Sequence, residues 1–169
     1  MKTVTQRVVI AAMLAALVCV ATMIVRIPSP MKGYVNLGDA VVLLSAWLLS
    51  PGYGALAAGL GSALADLFSG YTIYAPVTFA VKAVMALVAY GVAAMLSRRF
   101  RILPSRVIGG AAAELVMISG YYVFEGVLYG FVPALVNIPA NAAQGVAGMI
   151  GGILLIAVFE KQNLTKILK

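Results

Sequence analysis

The sequence contains no histidine and a single cysteine, Cys19, in 169 residues. One cysteine excludes a disulfide within the chain. A single cysteine without any histidine is also too few ligands for the usual zinc sites. The phosphate-binding pattern G-x-x-x-x-G-K-[ST] is also missing, and no serine or cysteine has a histidine base to activate it. We therefore predict that the chain is not an enzyme, that it holds no metal, and that any ATP hydrolysis it depends on takes place in another chain.

Charged residues are scarce as well. They make up 10% of the chain, whereas hydrophobic residues make up 63%, against roughly 25% and 45–50% in an ordinary soluble domain. This composition excludes a water-soluble globule. At roughly 20 residues for each crossing of a bilayer, the length allows about six crossings with little left for loops. We therefore expect a single all-α integral membrane domain over residues 1–169.

The 12 lysine and arginine residues outnumber the 5 acidic residues, giving a net charge of +7. Nucleic-acid binding would need basic residues mixed with aromatic residues on one exposed surface. Instead, nine basic residues flank the apolar runs on one side of the expected membrane, two lie on the other side, and Lys82 lies within a run. This bias predicts a multi-pass protein of the cell membrane with both termini cytoplasmic. The nine are Lys2, Arg7, Arg98, Arg99, Arg101, Arg106, Lys161, Lys166 and Lys169, and the two are Arg26 and Lys32.

Six apolar segments are separated by turn-forming or basic residues. The second and third, 39–50 and 54–68, are divided by Pro51 and Gly52 and are short for a full crossing, so a re-entrant hairpin is an open alternative for them. Residues 26–38 contain two prolines and two glycines, which predicts an ordered loop outside the membrane. The remaining segments are 8–25, 76–96, 107–124, and 133 or 134 to 159.

Small residues recur at four-residue spacing in three of the segments. Such stripes let helix backbones approach closely in lipid, where apolar burial does not drive association. In the third and sixth segments we interpret them as internal packing surfaces. In the first segment, internal packing and contact with another chain are both open. The stripes are Ala11/Ala15 and Ala12/Ala16, Ala55/Gly59/Ala63, and Gly148/Gly152.

Polar residues within the apolar segments indicate a partner or a cavity, because an ionisable group costs about 2.5–3.5 kcal/mol at the bilayer centre. Lys82 lies roughly 9 Å along its helix from Pro76 at the outer end. Two other segments carry polar residues at helical spacing and overlapping depth, which suits a small polar aromatic ligand. The alternative is a structural network in which Lys82 pairs with Glu114. The two further sets are Glu114, Tyr121 and Glu125, and Asn137, Asn141 and Gln144.

Other polar residues lie toward the outer ends of the segments. We interpret Asp66 as an interfacial carboxylate near a helix end. Six tyrosines cluster at the same level, which is typical both of an aromatic belt at the membrane surface and of the wall of a ligand site. They are Tyr34, Tyr71, Tyr74, Tyr121, Tyr122 and Tyr129.

Four stretches of the sequence also carry a resemblance to a known family. They are the small-residue stripe 11–16, Gly33-Tyr-Val-Asn-Leu-Gly-Asp39, Gly61-Ser-Ala-Leu-Ala-Asp66, and Tyr74-Ala-Pro-Val-Thr-Phe79 followed by Lys82. Their order and spacing resemble the substrate-binding S components of energy-coupling factor (ECF) vitamin transporters. The resemblance covers most of the chain and is most specific between Asn36 and Lys82.

The resemblance implies a six-helix membrane subunit that binds a vitamin or vitamin precursor near the outer face, between the loops and helices four to six. It implies no cofactor in this chain, and as partners a transmembrane coupling subunit and two ATPase subunits that use ATP. The N-L-G-D and A-P-V-T-F strings are most similar to the branch for pyridoxine-type, hydroxymethylpyrimidine or riboflavin substrates. The small residues that would contact the coupling subunit are Ala11, Ala12, Ala15 and Ala16.

Combined, these observations predict a substrate site in the outer half of the membrane. We expect Lys82 to donate to a ring hydroxyl, carbonyl or acidic group, side-chain amides to bind ring heteroatoms, and tyrosines to form an aromatic wall. The ten predicted substrate-binding residues are Asn36, Tyr74, Thr78, Lys82, Glu114, Tyr121, Glu125, Asn137, Asn141 and Gln144.

An autonomous channel or proton-coupled carrier is the alternative function, with Lys82, Glu114 and Glu125 as a proton relay. A relay needs titratable groups that continue to the cytoplasmic side. Between Glu114 and Arg106 the sequence has only small and apolar residues. The polar groups therefore end near mid-membrane, which favours a binding subunit.

Overall fold

The structure is a computed structural model that describes residues 3–29 and 34–163. Several residues used above therefore lie outside the described residues, namely Lys2, Lys32, Gly33, Lys166 and Lys169. Of the described residues, 83% are helical. In chain order the elements are α1 (Val4–Ile24), β1 (Arg26–Pro28), β2 (Tyr34–Asn36), α2 (Gly38–Leu48), α3 (Pro51–Phe68), α4 (Ala75–Leu96), α5 (Ile102–Tyr129), α6 (Phe131–Ala134), a 3-10 turn (Leu135–Asn137) and α7 (Ile138–Lys161).

The predicted class of an all-helical membrane protein is confirmed. Four helical stretches are long and apolar enough to cross a membrane: α1, α4, α5, and the stretch Phe131–Lys161 that contains α6 and α7. The short apolar helix α2 has 11 residues, about 16 Å of length, which is roughly half of a bilayer's hydrocarbon core. The number of crossings and the side on which the termini lie stay predictions.

The short helix α2 forms the centre of the bundle. Every one of its residues is buried, because α1, α3, α4 and α7 all pack around it. A helix that is apolar on all sides is buried on all sides. Its first turn carries the one acidic residue of the helix, Asp39, which is fully buried.

Glycines permit this close packing, as predicted for the third and sixth segments. A Cβ atom on Gly59 of α3 would lie 2.8 Å from the carbonyl oxygen of Phe79 in α4. On α7, Cβ atoms on Gly148 and Gly152 would lie 2.5 and 2.9 Å from the Cβ atoms of Asp39 and Leu43. Any larger side chain at these positions would push the helices apart.

The four alanines of the first helix that are predicted to form a docking surface lie on two different sides of α1. Ala11 and Ala15 are buried, because α1 crosses α3 so closely that a Cβ on Gly61 would lie 2.3 Å from the Ala15 carbonyl oxygen. Ala12 and Ala16 lie on the exposed side of the same helix. Of the four alanines, Ala12 and Ala16 are therefore the two that another chain can reach.

The predicted loop after α1 contains a small β-hairpin. β1 and β2 pair antiparallel, with Arg26 opposite Asn36 and Pro28 opposite Tyr34. The hairpin is attached to the bundle, because the Asn36 backbone N–H donates to Oε1 of Gln144 in α7 at 2.9 Å. It therefore places β2 next to the ends of the long helices.

Arg106 belongs to α5 and not to the gap between segments. It is buried, and its Nη2 donates to Oε1 of Glu160 in α7 at 2.7 Å. Its guanidinium also lies 6.0 Å from the ring centre of Trp47. Because its charge is paired, Arg106 can lie buried within a helix, and α5 includes it ahead of the apolar run 107–124.

A labelling experiment tests the predicted topology. In a Cys19→Ala background, single cysteines at Thr3 and Lys161 are expected to resist an impermeant thiol reagent in intact cells. A cysteine at exposed Thr72, in the turn between α3 and α4, is expected to react and serves as the control. Labelling at either terminus, or protection at Thr72, would contradict the topology.

Candidate functional site

A polar cavity lies where one set of helix ends meets the β-hairpin. The C-terminal parts of α1, α3 and α5 and the N-terminal parts of α4 and α7 converge there with β2. The cavity has a volume of about 40 Å³. Eight of the ten predicted substrate-binding residues line it; Glu114 and Asn137 do not. The lining residues are Thr22, Ser29, Tyr34, Asn36, Ser62, Asp66, Tyr71, Tyr74, Thr78, Lys82, Tyr121, Glu125, Asn141 and Gln144.

A buried hydrogen-bond network forms the floor of the cavity. The Lys82 ammonium donates to Asp39 Oδ1 as an ion pair. Gln144 Nε2 donates to Asp39 Oδ2 at 2.6 Å, and Gln144 Oε1 accepts from the backbone and side-chain amides of Asn36. The network joins α4, α2, α7 and the hairpin, so these four elements hold one another in register.

The alternative pairing of Lys82 with Glu114 is wrong, because the partner of Lys82 is Asp39. The sequence did not suggest this partner, since Asp39 looked like the boundary of an apolar segment. Glu114 lies close by, with both carboxylate oxygens buried and without a hydrogen-bond partner among the described residues. It fits against α7 because positions 145 and 148 are glycines.

Asp66 is another buried carboxylate near the end of α3, and the expectation that it is exposed at the membrane surface is wrong. It is 5% exposed, because the hairpin covers it and Tyr34 Oη donates to its Oδ1 at 2.6 Å. Burial, together with the nearby Asp66 carboxylate, raises the pKa of the Tyr34 hydroxyl. The tyrosine therefore stays protonated and acts as the donor.

Aromatic rings form one side of the cavity. Tyr34 and Tyr71 have ring centres 4.8 Å apart, Tyr71 and Tyr74 6.3 Å, and Tyr74 and Phe124 5.1 Å. Their tilted and edge-to-face arrangements are those that aromatic pairs prefer. The three tyrosines thus form a continuous wall that could stack a planar ligand.

The remaining predicted residues occupy the α5 and α7 side. Tyr121 Oη lies 3.2 Å from Thr78 Oγ1, and the Lys82 ammonium lies 5.6 Å from the Tyr121 ring centre. Asn137 is not at the cavity wall, but its Nδ2 donates to Glu125 Oε1 at 2.8 Å. It therefore positions a lining residue from behind.

Three hydroxyl residues of the wall were not identified from the sequence. The hydroxyl oxygens of Thr22, Ser29 and Ser62 are buried and have no hydrogen-bond partner among the described residues. A single hydroxyl gives no periodic signal, either in an apolar helix, as at Thr22 and Ser62, or after a short strand, as at Ser29. Buried polar atoms are normally satisfied, so a group of unsatisfied ones around a cavity indicates a polar ligand or water.

Comparison with known proteins identifies the family. The family profile described as "ECF-type riboflavin transporter, S component" matches residues 2–161. The chain belongs to this family. An S component of a bacterial ECF transporter of known structure superposes on it with a TM-score of 0.74, at 25% identity and with 99% of each chain covered. An uncharacterized protein of Pyrococcus woesei is 38% identical over 146 residues, which are 86% of this chain and 95% of that protein.

Membership decides the general function. An S component is the substrate-binding component of a transporter and not an enzyme. Members of the family are multi-pass membrane proteins. Together with the ECF module they take up vitamins as part of an ECF transporter. The polar cavity, built from five helices and a hairpin, is the candidate for the vitamin site.

Proposed function

We propose that this S component binds one small heteroaromatic vitamin in the polar cavity, with riboflavin as the first candidate and pyridoxine-type compounds and hydroxymethylpyrimidine as the others. The observation that carries the proposal is the convergence of unsatisfied hydroxyls, a buried ion-pair network and three tyrosine rings on one cavity. The family description favours riboflavin among the three. A planar ring with several heteroatoms stacks on the tyrosines and satisfies the hydroxyls.

Within this site the residues take different roles. The Lys82 ammonium has three N–H donors and gives one to Asp39, so two remain for a ring oxygen. Asn141 lines the cavity and supplies an amide for ring heteroatoms. Asn137 acts indirectly, because its amide holds Glu125. Glu114 lies behind the network and shapes the packing of α7.

Entry of a vitamin requires movement of the cavity wall. A volume of about 40 Å³ holds a few water molecules, whereas small-molecule sites have about 300–1,000 Å³. The hairpin is the element best suited to move, because its strands have only three residues each. The contacts from Asn36 to Gln144 and from Tyr34 to Asp66 would have to open.

The proposed assembly follows from the family and from the exposed face of α1. We propose that Ala12 and Ala16 contact the transmembrane coupling subunit, and that two separate ATPase subunits supply the energy from ATP. In this assembly residues 1–169 form a single transmembrane domain of the plasma membrane, with six crossings and cytoplasmic termini.

Calorimetry on the purified, ligand-free protein tests the proposal. Riboflavin, pyridoxine and hydroxymethylpyrimidine are titrated separately, and the fluorescence of riboflavin is expected to fall on binding as its ring stacks on tyrosine. Absence of binding by all three vitamins would contradict the proposal. If vesicles that contain only this chain take up the vitamin, and if this uptake depends on a pH gradient, the result would favour the proton-coupled carrier instead.

Replacing Asn141 by Ala tests the residue assignment. The loss of one ligand hydrogen bond is expected to cost about 1–3 kcal/mol, which is roughly one to two decades of affinity. Asn163→Ala, at an exposed position after α7, is the matched control and should leave the affinity unchanged. Equal affinities of Asn141→Ala and the unchanged protein would remove Asn141 from the ligand contact.

A further inference from the structure

A second cavity lies at the opposite end of the bundle. It is enclosed by the start of α1, the turn from α2 to α3 and the second half of α4, and its volume is about 340 Å³. It shares no lining residue with the polar cavity. Vitamin binding as proposed above does not use it.

The walls of this cavity are amphipathic. Ile10, Leu48 and Leu49 form an apolar surface, beside the ring of Trp47. The polar part is lined by Arg7 and by three hydroxyl-bearing residues. Among the described residues, Arg7 has no acidic partner within ion-pair distance. The hydroxyl-bearing residues are Ser50, Tyr53 and Tyr90.

The surroundings add positive charge. Arg98, Arg99 and Arg101 are exposed just beyond the end of α4, the helix that contributes Tyr90. The positive-inside bias places this end at the cytoplasmic surface. That leaflet is rich in anionic lipid, and each nearby arginine or lysine attracts it.

We propose that this cavity binds one anionic phospholipid. Its phosphate accepts hydrogen bonds from the Arg7 guanidinium and from the Tyr53 and Tyr90 hydroxyls, and the upper part of an acyl chain lies along Ile10 and Leu49. The charged wall requires an anion, and the adjoining apolar wall requires an attached hydrocarbon. A free phosphate ion would leave the apolar wall in contact with water.

Trp47 gives a direct test, because it is the only tryptophan of the chain and lines this cavity. The full chain is placed in phosphatidylcholine bilayers that contain a small fraction of acyl-brominated phosphatidylglycerol or, separately, acyl-brominated phosphatidylcholine. Bromine quenches tryptophan fluorescence at contact distance. The brominated phosphatidylglycerol is expected to quench Trp47 at an about tenfold lower mole fraction than the brominated phosphatidylcholine, the effect of one charge-assisted hydrogen bond.

Variants distinguish binding of the lipid in this cavity from a general attraction of anionic lipid to the basic surface. Arg7→Gln is expected to remove most of the preference for phosphatidylglycerol, whereas Arg99→Gln, at an exposed arginine outside the cavity, keeps most of it. If Arg7→Gln does not fold, Tyr53→Phe with Tyr90→Phe keeps the charge and the apolar wall and should lower the preference several-fold. Equal quenching by both lipids, or a preference that Arg7→Gln and the double tyrosine variant both leave unchanged, would overturn the proposal.

Two further outcomes distinguish other occupants. Added inorganic phosphate should not relieve the quenching; relief would mean that the cavity recognises the free anion. If the cavity is instead a contact surface for the coupling subunit, the isolated chain will show no preference for the anionic lipid. Either result overturns the lipid assignment and leaves vitamin binding untouched.

Discussion

Replacing Asp39 by Asn is expected to lower the free energy of unfolding by about 3–5 kcal/mol, because it leaves the Lys82 ammonium buried without its carboxylate. The two side chains are 0% and 3% exposed, respectively. The change also removes the charged acceptor of Gln144, which connects the network to the hairpin. Denaturant unfolding of the ligand-free protein in detergent, followed by circular dichroism, measures the effect.

Two comparisons show whether burial of the pair is the cause. Glu160→Gln breaks the ion pair with Arg106, but the Glu160 side chain is 42% exposed, so water screens this pair and the loss of stability should be smaller than for Asp39→Asn. Asp39→Asn combined with Lys82→Met should be less harmful than Asp39→Asn alone, since no uncompensated charge remains. Unchanged stability of the single Asp39 variant would contradict the structure's ion pair.

Replacing Ala12 and Ala16 together by Leu is expected to reduce vitamin uptake at least roughly 30-fold, because large side chains prevent close contact with the coupling subunit. Both residues are exposed on α1 and neither lines the polar cavity. Affinity for the vitamin should therefore stay the same. Uptake is measured in cells that contain the whole transporter, and affinity on the isolated chain.

A matched pair on another helix identifies the docking face. Ala143 and Ala147 of α7 are also exposed and four residues apart, and Leu at both should leave uptake intact. Normal uptake with Ala12→Leu/Ala16→Leu, or lost uptake with the α7 pair, would move the docking face away from α1. Leu at buried Ala15 should instead lower the yield of folded protein, because α3 is already in contact there at Gly61.

The positions of the helices were largely predictable from the sequence. The fourth apolar run, 76–96, corresponds to α4 at Ala75–Leu96, because a proline begins it and a basic cluster follows it. α5 differs more, since it begins at Ile102 and includes Arg106. A rule that ends helices at charges cannot identify an arginine whose charge is neutralised by Glu160, 54 residues further along the chain.

Part of the candidate site was also predictable, because residues on one face of a helix repeat at a regular spacing. The residues of α5 and α7 repeat at helical spacing, and the structure brings Tyr121, Glu125, Asn141 and Gln144 to one cavity. Spacing within a helix shows which face is polar. It does not show which other helix that face meets. The sequence therefore could not predict that Asn141 lines the cavity and that Asn137 lies behind it.

By itself, the sequence determined that this is an all-helical membrane protein. Its composition is too apolar for a protein dissolved in water, and each helix is specified by residues that are neighbours along the chain. Only the tertiary structure decided the partner of Lys82, the burial of Asp66, and which alanines of α1 are free. These depend on the central position of α2 and on glycine contacts such as Gly61 against α1. Such contacts join residues far apart in the chain, and hydropathy and periodicity report only on neighbours along it.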